Sequence, residues 1–323
     1  MKGSGGVNPH YIMVIGIDHG NSQIKTLHTV FTAGITTHGQ SKPPMSAEVV
    51  HFEGNYYSIS STRSDYMRDK TENIDYFILT LFAIAKELKS SAEYQPGTTT
   101  PIDLAVGLPP EHFGTGKESF IKYFYSHGKD LTFEYNDEPF HVIINDVFNF
   151  PQAYAAITTR ANKFKEYSKT YIVDIGGYTV DVILLNHGIP DLQVCKSFEL
   201  GLNTFGNIIK GLVNSNYGKK IDDTHITDVL LGNKTLLPDD IKNLITSEAH
   251  KHVDKIFNQL REIGIDLTIN PAIFVGGGSL VLKPIIENSP KLNPAGIEFI
   301  PEVSANAIGY TYLAQGALRK KNR

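Results

Sequence analysis

Strand-like and helix-like hydrophobic patterns alternate along the chain. From residue 12 to 60 the pattern is that of strands: YIMVIGID, QIKTLHTVF, then SAEVVHFEGNYYSIS, where EGN supplies a hairpin turn. IDYFILTLFAIAKELK (74–89) is apolar nearly all round, which predicts a well-buried helix. IDLAVGLP (102–109) reads as a buried strand ended by Gly-Leu-Pro, and HVIINDVF (141–148) as another strand. PQAYAAITTRANKF (151–164) opens on a proline, a residue favoured in a first helical turn, and is expected to be a helix.

A second strand pattern begins at YIVDIGG (171). SFELGL (197–202) looks extended and NTFGNIIKGLVN (203–214) helical. In 238–264, Ile241, Leu244, Ile245, Val253, Ile256, Phe257, Leu260 and Ile263 follow a three-four spacing behind an acidic start, which predicts an amphipathic helix. AIFVGGGSLVLKPIIE reads as strand, glycine turn and helix, and NAIGYTYLAQGALRK (306–320) as a last helix able to return to the first lobe. No low-complexity linker separates the halves.

With 323 residues the chain fits two domains or one large two-lobed unit. At 41% hydrophobic and 20% charged it is expected to be globular, and a net charge of −4 gives no general argument for nucleic-acid binding. The basic end LRKKNR reads as a solvated tail. Cys195 is the only cysteine, which excludes an internal disulfide framework, a Cys-rich zinc site and a self-contained iron–sulfur site. It reads as a small buried hydrophobe in a strand. The twelve histidines form no HExxH pattern, and His250 and His252 read as surface residues. MKGSGGVNPHY has no apolar core region of a signal peptide, and FILTLFAIA (77–85) is too short to span a bilayer. A cytoplasmic protein without membrane contact is expected, with residues 1–10 a flexible leader.

The candidate chemistry lies in a repeated unit. IGIDHGNSQIK (15–25) and YIVDIGGYTVDVILL (171–185) superpose: apolar residues, Asp18 or Asp174, one variable residue, Gly20 or Gly176, a small residue at Asn21 or Gly177, then a new extended run. A buried carboxylate at a strand end is costly unless its charge is used. One copy could be a plain turn; two copies imply a duplicated architecture with two acid-bearing hairpins. Glycine turns after strands expose backbone N–H groups to phosphate. A Walker loop, GxxxxGK[ST], is absent. The return to strand after each turn also excludes a dinucleotide fold, whose glycines open a helix. Only VGGGS (275–279) is a glycine turn feeding a helix.

In this order, the three elements resemble the actin, heat-shock-chaperone and sugar-kinase superfamily. The resemblance implies an α/β, actin-like two-lobed fold with duplicated ribonuclease-H-like sheets and a nucleotide cleft between the lobes. It implies ATP or ADP with Mg²⁺, GTP being the alternative. It divides the chain into domain I, 11–165 plus the C-terminal helix 305–323, and domain II, 166–304. On that reading Gly20 and Asn21 form the first phosphate turn, Lys25, seven residues beyond Asp18, contacts phosphate, and Gly176, Gly177 and Tyr178 wrap the outer phosphates. Asp18 and Asp174 hold Mg²⁺ largely through water, and Asp181 supports the second hairpin. Gln152, in FPQAYAA at the start of the first connecting helix, orients the attacking water. Gly276, Gly277, Gly278 and Ser279 lie against adenine, with help from the GLN turn at 201–203.

Lack of room for a peptide-binding domain, and of a recognisable sugar pocket, points to a compact ATPase. GIDHGNSQIKT, RDKTENIDYFILTLFAIAKEL, AVGLPPEHF, FPQAYAA and VDIGGYTVDV look like the ParM/StbA group of plasmid-segregation proteins. That resemblance implies a chain that polymerises with ATP and reaches DNA only through a DNA-bound adaptor protein, with no direct DNA binding. His19 and Asn21 depart from the smaller or hydroxyl residues of many members, and Gln152 from the glutamate of some ParM proteins. The alternatives are a small-molecule kinase on the same fold and a nucleotide-dependent scaffold that does not polymerise.

Overall fold

The computed structural model describes residues 12–44, 48–64, 67, 69–158 and 160–321; the expected leader, 1–10, lies outside them. The chain divides into two units. Unit 1 holds residues 1–108, 112–158 and 306–323, and unit 2 holds 109–111 and 159–305.

Unit 1 carries β1 (Met13–His19), β2 (Gln23–Lys25), β3 (Val30–Thr32), β4 (Ile35–Gly39), β5 (Val49–Phe52), β6 (Asn55–Ile59), α1 (Asp75–Ser90), β7 (Thr99–Leu108), α2 (Pro110–Phe124), β8 (Asp130–Tyr135) and β9 (Glu138–Pro151). Among the described residues these strands form one sheet in the order β3-β2-β1-β7-β9-β8-β5-β6-β4. β1, β7 and β9 run parallel at its centre, which is why β1 and β7 read as nearly unbroken apolar runs. The EGN turn between β5 and β6 is present, with Glu53 and Gly54 both at positive φ, the geometry that lets a two-residue hairpin follow strand twist. α1 is buried from Tyr76 to Ala85 and again at Glu87 and Leu88, as its all-round apolar pattern requires.

Unit 2 carries β10 (Lys169–Ile175), β11 (Val180–Asn186), β12 (Ile189–Phe198), α3 (Leu202–Tyr217), α4 (Asp223–Leu230), α5 (Asp239–Glu262), β13 (Ala272–Val275), α6 (Gly277–Val281), α7 (Lys283–Glu287) and β14 (Ile297–Phe299). The sheet order is β12-β11-β10-β13-β14. α5 buries Ile241, Ile245, Val253, Ile256, Phe257 and Leu260 against this sheet's core; Ile263 falls beyond the helix end and is exposed. The final helix, α8 (Ala305–Lys321), contributes Tyr310 and Ala314 to a cluster with Ala105 and Ala155 in unit 1. Cys195 is buried in β12, as expected.

Four expectations are corrected. QIKTLHTVF is not one strand: Thr26 donates its N–H to the Thr29 carbonyl, and the resulting turn separates β2 from β3. PQAYAAITTRANKF is not a helix begun by proline. β9 runs through Pro151, the Gln152 N–H continues onto the Leu108 carbonyl, and Ala153 takes a φ of 61° with its N–H on Asn306 Oδ1. The sheet and α8 use the amides a helix would have needed, leaving only short 3-10 turns at Ala155–Ile157 and Ala161–Phe164. The helix after VGGGS is two five-residue pieces, α6 and α7, with Pro284 in the first turn of the second. His252 is buried, not surface: its Nε2 lies 2.9 Å from the Leu200 carbonyl and its ring tilts against Phe205, while burial lowers its pKa; His250 is exposed.

Candidate nucleotide site

The first repeat is an antiparallel hairpin. Asp18 pairs with Lys25 and His19 with Ile24, so the strand register itself sets the lysine opposite the acid. Lys25 Nζ stands 3.9 Å from Asp18 Oδ2, and both side chains are largely withdrawn from solvent. A Cβ on Gly20 would come within 2.7 Å of the Gln23 carbonyl, so the turn closes only around glycine. The Gly20 and Asn21 amides donate to no acceptor among the described residues, which leaves two N–H groups for an anion.

Gln152 reaches this hairpin from the end of β9. Its Nε2 donates to Asp18 Oδ1 at 3.2 Å, although it does not start a helix. The donor end of the carboxamide is thereby committed, and the carbonyl oxygen is the end left to accept.

Behind the turn sits a polar layer that the sequence did not advertise. The His19 imidazole is fully buried between Tyr76, Phe120 and Phe124, its Nε2 2.8 Å from Thr80 Oγ1. Burial, and then the Lys70 ammonium, push its pKa down to about 3, so the ring is neutral. The buried Lys70 donates to the His19 carbonyl, and the Tyr76 hydroxyl donates to Asn21 Oδ1. A lysine a few residues before an apolar helix and a tyrosine in that helix's first turn carry no motif and look like ordinary surface and core residues in sequence.

The second repeat is built likewise. β10 and β11 pair antiparallel with Asp174 opposite Asp181, and Gly176 N–H closes the turn onto the Thr179 carbonyl. Thr179 Oγ1 donates to Asp181 Oδ2, tying that acid into the turn. α3 fixes the turn's orientation: the amides of Gly201, Leu202 and Asn203 bond the carbonyls of Tyr178, Gly176 and Gly177. With those carbonyls facing α3, the Gly177 and Thr179 amides donate to nothing among the described residues.

The glycine turn after β13 lies directly on this acid. Gly276 has a φ of 87°, and a Cβ there would sit 2.3 Å from Asp174 Oδ1. Ser279 is fully buried and donates its hydroxyl to the Val275 carbonyl, so its side chain braces the turn. Gly277 and Gly278 begin α6. Unit 1 thus brings together Asp18, Gly20, Asn21, Lys25 and Gln152; unit 2 brings together Asp174, Gly176, Gly177, Tyr178 and Gly276–Ser279.

No group of three or more His, Cys, Asp or Glu side chains able to hold a metal occurs among the described residues. Single carboxylates at Asp18 and Asp174 suit Mg²⁺, which keeps several waters and rides on substrate phosphates instead of entering an all-protein cage.

Against known proteins, residues 172–288 match the family model described as the archaeal actin homologue MreB-like C-terminal domain. Solved structures align over nearly the whole chain. A crystal structure of an archaeal actin homologue in complex with ADP has a TM-score of 0.73 at 18% identity, covering 94% of this chain and 100% of that one. The fold is actin-like. A 15-stranded ParM filament from Clostridium botulinum gives a TM-score of 0.73 at 19% identity over 94% and 99% of the two chains. The actin-like protein Alp7A gives 0.76 at 13% identity over 96% and 98%. No curated protein sequence matches the chain. Among the described residues no helix is long and apolar enough to cross a membrane.

Proposed function

We propose that this actin-like chain binds Mg·ATP, hydrolyses it, and couples hydrolysis to assembly and disassembly of a homopolymer that moves DNA through an adaptor protein. The observation that carries the hydrolytic part is the Gln152–Asp18 hydrogen bond. It leaves a carboxamide oxygen to accept a hydrogen bond from a proton of water, beside a carboxylate suited to Mg²⁺. Gln is too weak a base to remove that proton, so its role is orientation of the attacking water. Amides that donate to nothing among the described residues, those of Gly20 and Asn21 beside Lys25 in unit 1 and those of Gly177 and Thr179 in unit 2, are donors of the kind a polyphosphate requires. Mg²⁺ would be held by Asp18 and Asp174 through water and would neutralise charge on the phosphate oxygens.

Polymerisation and the adaptor rest on likeness. Similar folds include a ParM filament and an Alp12 filament, and the motif resemblance is to plasmid-segregation proteins. Light scattering and pelleting with Mg·ATP test the reading, with Asp174→Ala as the comparison. Polymer that forms with ATP and disassembles as phosphate is released, with no cycling in the variant, supports a segregation motor. ATP binding without polymer at any accessible concentration overturns it and turns the search to phosphoryl acceptors.

A further inference from the structure

Asn21 lies on the first phosphate turn with its carboxamide engaged at one end only. Oδ1 accepts from the Tyr76 hydroxyl at 2.9 Å. Nδ2 donates to nothing among the described residues, and the residue is half-buried at the turn instead of sealed in the core. A carboxamide can face a ligand with either its oxygen or its NH₂, and the two ends have opposite meaning for an anion. An oxygen repels phosphate; an NH₂ binds it. We propose that Tyr76 is a positioning residue that sets the polarity of Asn21, so that the side chain meets the nucleotide's phosphates as a donor. The proposal rests on the nucleotide reading above and adds to it a selectivity for the phosphorylated nucleotide over the bare nucleoside.

Tyr76 is well suited to the task because little about it can move. It is buried in the first turn of α1, its carbonyl accepts from Thr80 Oγ1 at 2.7 Å, and its ring packs edge-on to His19. Lys70 Nζ stands 5.5 Å from the ring centroid while donating to the His19 carbonyl on the same turn. The phenol is thus held against the turn by groups that bond the turn itself, and its hydroxyl meets Asn21 in a fixed direction. Gln152 supplies the converse arrangement in the same unit: its NH₂ is engaged by Asp18 and its oxygen accepts from nothing among the described residues. One carboxamide is turned to give hydrogen bonds and the other to accept them.

The test is equilibrium binding of ATP and of adenosine to the full chain, followed by calorimetry, for the parent, Tyr76→Phe, Asn21→Ala, the double variant and Asn21→Asp. Tyr76→Phe keeps the buried ring and removes only the hydroxyl. It is expected to weaken ATP by about three- to tenfold while adenosine is unchanged, as for loss of one oriented hydrogen bond. In the Asn21→Ala background the same change has no further effect, because there is no carboxamide left to orient. Asn21→Asp, which keeps the shape and still accepts from Tyr76 but cannot donate, is expected to lose ATP by more than tenfold. A Tyr76→Phe penalty of equal size in the Asn21→Ala background, or ATP binding by Asn21→Asp at the parent level, overturns the proposal. A parent chain that binds no nucleotide at all defeats the nucleotide reading first, and this inference falls with it.

Discussion

Gln152 and Asp18 share a buried hydrogen bond of 3.2 Å across 134 positions of sequence. It is made from the end of one central strand to the end of another, so the backbone of the sheet sets the distance. If Gln152 orients water, Gln152→Ala slows phosphate release by about 10²–10³-fold with little change in ATP affinity. Single-turnover hydrolysis beside equilibrium ATP binding separates the two quantities. A variant that loses affinity and keeps its turnover would make Gln152 a binding residue.

His19 predicts a pH dependence of stability. Its folded pKa, about 3, lies below the ordinary 6.5 because burial disfavours the cation and Lys70 repels it. Between those values the unfolded chain holds a proton that the folded chain lacks, so stability is intact above pH 6.5 and falls as the pH drops toward 3. From pH 6.5 to 5 the loss is roughly 1–2 kcal/mol. His19→Gln cannot take up the proton, so the gap in stability between it and the parent narrows by that amount over this range. Urea titrations at several pH values measure the gap; a gap that does not change with pH refutes the buried neutral ring.

Much of the molecule was legible because its signals are local. Asp18 and Asp174 each end an apolar run and precede a short glycine turn and a new extended run, and that is enough to write both hairpins. The three-four spacing from Ile241 to Leu260 is enough to write α5. What was not legible depends on partners far along the chain. Pro151 suggests a helix start until the Leu108 carbonyl and Asn306 claim the amides that follow it. His252 looks like a surface residue among charges until the Leu200 carbonyl, 52 positions away, gives it a buried acceptor. Lys70 and Tyr76 carry no motif; only the packing of α1 behind the first turn gives them meaning.

Gly276 joins the glycine turn to the second acid. Its backbone, at φ 87° and ψ 157°, lies in a region essentially confined to glycine, where another residue costs roughly 1–3 kcal/mol. An added Cβ would also displace the Asp174 carboxylate, 2.3 Å away. Gly276→Ala is therefore expected to destabilise the chain by at least that strain and to impair hydrolysis further through Asp174. Gly277→Ala, whose Cβ meets nothing within 4 Å, is expected to unfold as the parent does, within about 0.5 kcal/mol. Chemical denaturation of the pair decides the matter, since equal losses would remove the special role of position 276.

Glu87 is a carboxylate inside the otherwise apolar α1, only 2% exposed, and the turn after β2 accounts for it. It accepts from the Thr26 hydroxyl and the His28 N–H, and His28 Nδ1 lies 2.8 Å from its second oxygen. These bonds pin the residues that immediately follow Lys25, so the helix holds the lysine's strand from behind. Removing the carboxylate leaves buried donors without an acceptor, and Glu87→Ala is expected to cost roughly 2–3 kcal/mol. It should also weaken ATP binding through Lys25, whereas Glu87→Gln, which still accepts from Thr26 and the His28 N–H, recovers most of both. Thermal unfolding and nucleotide titration of the two variants check this. If Glu87→Ala loses stability yet binds ATP like the parent, the latch serves the fold alone and Lys25 keeps its place without it.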